Sequence, residues 1–186
     1  MNLVWHHILP YNEWRDLWNT LVTHCHGTQL AEARTALRHY LLLCDWKMRE
    51  VDTWIDRIRA ERLDVVDCNF LTTKAAWPAW NIVEGPDPRF RSDDPGDRFI
   101  DRYTHGLTQT EFGRMKSVEF LHLRLASVPL MGNLSAAALR SLADTLSMAR
   151  SGLACDIPVP FRDSMWDRDA SGKWSKRRTG ERILPG

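Results

Sequence analysis

The four cysteines, at positions 25, 44, 68 and 155, form no close pair. That absence excludes a disulfide scaffold and a Cys-x-x-Cys metal or redox centre. Long apolar runs are missing as well, because charged residues recur in every long window, so no segment reads as a membrane-spanning helix. The start, Met1-Asn2-Leu3-Val4-Trp5-His6-His7, lacks the basic region and apolar stretch of a secretory signal. Net charge is almost absent: Lys+Arg 25 against Asp+Glu 24 leaves +1, which excludes bulk attraction to nucleic acid or to a membrane surface. The glycine and histidine patterns of a P-loop, a dinucleotide fold, a serine-hydrolase elbow or a zinc protease do not occur, and no cofactor is implied. The expectation is an intracellular protein, cytoplasmic or nuclear, with no membrane partner. A chain of 186 residues buries roughly 70% of its unfolded surface, enough for a core without covalent staples.

What is present is helical periodicity. Trp14, Leu17, Trp18, Leu21 and Val22 follow the spacing of one helix face over residues 10–24, with Pro10 and Asn12 near the start and Gly27 as a stop. Residues 28–63 contain neither glycine nor proline and carry two apolar stripes, which favour helices over 29–47 and 50–62 with a bend near Asp45 to Asp52, one continuous curved helix being the alternative. Their other face mixes arginines with Asp52 and Asp56, the pattern of a solvated surface. Residues 64–76 read as a loop. Pro78, Pro86, Pro88 and Pro95 make 77–97 a long loop or linker between an N-terminal half, 1–76, and a C-terminal half, 98–161. A helix is expected to begin near Asp97 with Phe99, Ile100 and Tyr103. Thr108-Gln109-Thr110-Glu111 fits a capping box ahead of the next helix. The last helix is capped by Asn133 or Ser135 and stopped at Gly152. Residues 162–186 carry seven basic and four acidic side chains and read as a flexible basic tail. The fold class is mainly α: a small bundle of about five helices with a long Pro-rich loop and that tail.

Nine tryptophans are the compositional excess. Trp14, Trp18, Trp46 and Trp54 fall on apolar helix faces and belong to the core. Trp77 and Trp80 lie in the loop, and Trp166 and Trp174 in the tail, so these four are the candidate protein-binding anchors. Lys173, Lys176, Arg177 and Arg178 surround Trp174, a pattern suited to RNA phosphate contacts with base stacking. His24-Cys25-His26 lacks metal-ligand spacing, and no metal site is expected.

Arg34-Thr35-Ala36-Leu37-Arg38-His39 has arginine and histidine separated by four residues. It resembles the motif of the HEPN ribonuclease superfamily, helical domains that dimerise and place both side chains at an RNA phosphate. The resemblance implies that Arg34 holds the phosphate and His39 serves as general acid or base. On a regular helix the two lie about 140° apart around the axis, which is not a shared face. Leu9-Pro10-Tyr11-Asn12-Glu13-Trp14, followed by Ala36-Leu37 and Trp46-Lys47, resembles the opening of the Las-type nuclear pre-rRNA endoribonucleases, themselves HEPN proteins. That likeness spans about a fifth of the chain, and the family's later Arg-His stretch has no counterpart here, which implies a shortened or inactive relative.

The residues point first to a non-enzymatic interaction or adaptor protein that meets a protein partner, or another copy of itself, through Trp-bearing segments. The alternative is an RNA-binding or RNA-processing protein of HEPN-like character, with Arg34 and His39 as its catalytic pair.

Overall fold

The structure is a computed structural model describing residues 2–27, 30–93, 102–130, 132–153 and 157–179. It is mainly helical, with six helices among the described residues. In chain order the elements are β1 (Leu3–His7), α1 (Tyr11–Gly27), α2 (Ala31–Leu43), α3 (Met48–Arg59), α4 (Val65–Ala76), β2 (Ile82–Pro86), α5 (Gln109–Leu125), α6 (Ala136–Leu153), β3 (Trp166–Arg168) and β4 (Trp174–Lys176). No described helix is long and apolar enough to cross a membrane.

The stripes of 28–63 fold as two helices, as their rotation predicts. Asp45 makes the break by taking a left-handed conformation (φ 61°), while the N–H groups of Cys44 and Trp46 close back on the Leu41 carbonyl. Helix α2 is the centre of the bundle and packs against α6, α1 and α3. The solvated charges also bridge helices: Arg34 reaches Asp56 at 3.1 Å, and Arg38 pairs with Asp52. The expected capping box forms at α5, where Thr108 N–H donates to Glu111 Oε2 at 2.8 Å and Glu111 N–H donates to Thr108 Oγ1 at 3.3 Å. At α6 it is Ser135 that caps, accepting from Ala138 N–H at 3.2 Å. Gly152 does not stop α6. It lies inside the helix where α6 crosses α5, and a Cβ there would overlap Ser117 Oγ.

Three stretches differ from the sequence reading. Residues 64–76 are a helix, not a loop. Asp64 and Asp67 form a reciprocal capping box that β-branched Val65 and Val66 conceal from a propensity argument. The Pro-rich stretch contains β2, which pairs antiparallel with β1 in the register Leu3↔Pro86, Trp5↔Glu84 and His7↔Ile82. Pro86 is the last residue of the strand and Pro78 and Pro88 lie outside it, so no missing N–H interrupts the ladder. The stretch marked as a tail carries a β3–β4 hairpin over Trp166–Lys176, turned by Asp169, whose carboxylate accepts from Ser171 and Lys173 N–H at 2.9 Å, and by Gly172 at φ +83°. The hairpin is held from outside: Ser92 N–H donates to the Trp174 carbonyl at 2.8 Å, and the Arg162 guanidinium makes paired bonds of 2.9 and 2.6 Å to Glu111. The helix expected near Asp97 falls outside the described residues, apart from Tyr103.

Buried aromatics occupy the middle of the core. Trp14 stacks on Tyr40 (centroids 4.2 Å apart) and meets Trp80 edge-on at 5.1 Å. Their indole N–H groups donate to the carbonyls of Ala75 and Leu43, at 2.7 and 2.6 Å. Trp80→Ala is expected to cost about 3–5 kcal/mol, the range for a truncated core aromatic, whereas Trp77→Ala, half-exposed at 50%, costs less than ~1 kcal/mol. Urea unfolding of the two variants beside the parent chain measures the difference.

Candidate functional site

Strand β1 has one paired edge and one open edge. Glu84 N–H and the Ile82 carbonyl of β2 bond to Val159, so Val83 and Gly85 of β2 face β1. Their partners Val4 and His6 therefore use the inner edge, and the N–H and C=O groups of Leu3, Trp5 and His7 point away from β2. These three side chains share one face of the ribbon. Trp5 stands 53% exposed on it. The His7 ring packs 4.4 Å from Trp77 and 5.2 Å from Tyr11, and its Nε2 donates to the Ala76 carbonyl at 2.8 Å. His6 lies on the opposite face, with Nε2 3.1 Å from the Pro86 carbonyl. Burial pushes the His6 pKa down to about 4, aided by the positive charge of Arg91 and opposed by the Pro86 bond. Burial also lowers the pKa of His7.

Helix α4 supplies a second apolar surface. Only Leu71 and Ala75 of its side chains are buried. Val65 and Val66 are each 75% exposed and Phe70 is 51% exposed. Val66, Phe70 and Thr73, at i, i+4 and i+7, form an outward stripe opposite the buried pair. Phe70 packs at its base on Trp46 and Trp54, with centroids 5.6 and 6.0 Å away. The cluster has a cationic rim: Lys74 Nζ lies 4.3 Å above the Trp46 ring, and the Arg57 guanidinium 4.7 Å from the Trp54 ring while also pairing with Asp67.

Of the four tryptophans expected as anchors, Trp77 is exposed and joins the β1 face. Trp80 and Trp166 are corrections: both are buried, Trp80 inside the bundle and Trp166 beneath Arg91, whose guanidinium lies 5.4 Å from its ring. The loop and tail that contain them fold onto the core, so they cannot serve as surface anchors. Trp174 is half-buried and edge-on to Phe161.

The basic residues around Trp174 are dispersed by the strand. Lys173 and Arg178 are exposed, Arg177 binds Asp167 at 2.7 Å, and Lys176 is buried with its N–H directed to Asp93. Arg34 and His39 are not brought together either. Arg34 turns to Asp56 of α3, while His39 is placed by α6, where burial and then Arg150 lower its pKa. His24 is buried and accepts from Leu134 N–H at 3.1 Å, and His26 pairs with Glu61. Among the described residues no three metal-ligating side chains converge.

The sequence reading missed Trp5, Val66 and Phe70. The alternation Leu3-x-Trp5-x-His7 was the available signal for an edge strand, and the spacing Asp64-x-x-Asp67 for the helix that carries Phe70.

Family models, curated proteins and solved structures all return no match to this chain.

Because His6 is neutral in the fold down to about pH 4, the unfolded chain takes up its proton first, at its ordinary pKa of 6.5. This contribution to stability is full above pH 6.5 and is lost as pH falls toward 4, with a size of about 2 kcal/mol after allowing for solvent screening. His6→Gln is expected to remove that part of the slope, which shows as a parent-minus-variant difference in urea stability between pH 7 and pH 4.5.

Proposed function

We propose that this chain is a non-enzymatic protein-interaction module that presents the outer face of α4 to a protein partner, with Trp77 at the end of that helix. The observation that carries the reading is the exposure of Val65, Val66 and Phe70 on a helix whose buried side is already satisfied by Leu71 and Ala75. A valine or phenylalanine contributes roughly 1.5–3 kcal/mol when it passes from full exposure to full burial, so this stripe gains from a cover. The aromatic floor of Trp46 and Trp54 keeps Phe70 preorganised, which reduces the entropy lost on docking.

The RNA-processing alternative has less support. Its two catalytic candidates face different helices, and part of its basic cluster is buried or paired.

A photo-crosslinking residue in place of Phe70, in cells that make the protein, tests the proposal. The expected product is a discrete protein adduct that Val66→Asp abolishes and that forms equally well in roughly 0.5 M salt, since apolar contacts release no counterions. An RNA adduct that disappears in high salt, or adducts formed from position 178 and not from position 70, would overturn it.

A further inference from the structure

The open edge of β1 adjoins the outer face of α4 only at Trp77 and has its own geometry. We propose that β1 pairs with β1 of a second copy of this chain, antiparallel about a two-fold axis through Trp5, joining the two β1–β2 ribbons into one continuous sheet.

The hydrogen-bonding pattern selects this register. Leu3, Trp5 and His7 present N–H and C=O groups at the open edge that have no partner among the described residues, and they are placed symmetrically about Trp5. An antiparallel copy in the register Trp5↔Trp5, Leu3↔His7 lets every outward group of one strand meet its complement on the other. A shift by one residue opposes outward groups to inward ones, and a shift by two leaves an end residue of each strand without a partner. The arrangement is isologous, the commonest symmetry among soluble oligomers.

Nothing on the strand opposes it. Edge strands are ordinarily protected by lysine, proline or a bulge, and Leu3-Val4-Trp5-His6-His7 has none of these. The edge carries no formal charge near neutral pH, because burial keeps both histidines in their neutral form. Two copies therefore approach without like-charge repulsion, whereas a charged peptide would find no counter-charge along the strand.

The apolar area around the edge is modest. Leu3, Trp5, Tyr11 and Trp77 leave on the order of 400 Å² per protomer exposed around the edge, about half the per-partner area of a standard stable interface. That area is too small for a permanent dimer, and the pairing is accordingly reversible.

Sedimentation velocity of the full chain from about 1 µM to about 500 µM, with amide exchange at both ends of that range, tests the inference. The expected result is a monomer–dimer equilibrium in which the amides of Leu3, Trp5 and His7 slow about tenfold at high concentration. Trp5→Lys weakens the dimer at least ~30-fold, and Phe70→Asp leaves it unchanged. Trp5 is exposed, so its replacement keeps the fold, and Leu3→Lys provides an independent second variant. A chain that stays monomeric throughout would refute the pairing, as would a dimer that survives Trp5→Lys or leaves these amides exchanging at the monomer rate. A dimer lost in Phe70→Asp but kept in Trp5→Lys would refute it while leaving the α4 face as a protein contact.

Discussion

Burying an indole ring removes a large apolar area from water but strands an N–H donor, and this chain resolves that conflict twice at its centre. Trp14 from α1 donates to the carbonyl of Ala75 at the end of α4, and Trp80 donates to the carbonyl of Leu43 at the end of α2. Both acceptors belong to the last turns of helices, where carbonyls lack intrahelical partners. The core tryptophans thereby act as side-chain caps and tie helix ends to the rings packed among them. Tyr40 lies against both Trp14 and Trp18 and completes the aromatic layer between α1 and α2.

The exposed surfaces follow from this arrangement. Helix α4 buries Leu71 and Ala75 and is tied to α3 through Asp67 and Arg57, which leaves Val65 and Val66 in water. Trp80 also fixes the residue beside it. Asn81 is buried, its Oδ1 accepts from Leu9 N–H at 2.6 Å, and its carbonyl accepts from Ile8 N–H at 2.9 Å. Those bonds set where the chain leaves β1 and enters α1, and hence which edge of β1 faces outward. Core satisfaction and surface presentation are linked through residues 75–81.

The helices that bury one regular face were legible in the sequence: α1, the pair α2 and α3, and the capped α5 and α6 all appear where their apolar spacing and caps place them. The elements that were not legible depend on partners far along the chain. Strand β1 is only five residues long and exists because β2 lies beside it some eighty positions later. Helix α4 has apolar residues on several sides, so its periodicity is weak, and its start is set by two aspartates that composition alone reads as solvation. Among the candidate anchors, Trp77 and Trp80 have the same local setting around Pro78, and no one-dimensional signal distinguishes the exposed ring from the buried one. The difference comes from tertiary acceptors: Trp80 reaches the open carbonyl of Leu43, while Trp77 rests its ring on His7 at the surface. The basic cluster near Trp174 was visible as composition, but strand alternation and the carboxylates of Asp93 and Asp167 disperse it.

Two buried tryptophans, Trp14 and Trp80, are hydrogen-bonded through their indoles, and two others, Trp5 and Trp77, are presented at the surface. Hydrogen exchange of the indole N–H groups, followed by nitrogen-edited NMR of the full chain, tests it most directly. The Trp14 and Trp80 indoles are expected to exchange only through opening of the core, orders of magnitude more slowly than those of Trp5 and Trp77 in the dilute monomer. A Trp80 indole that exchanges as fast as that of Trp77 would contradict it.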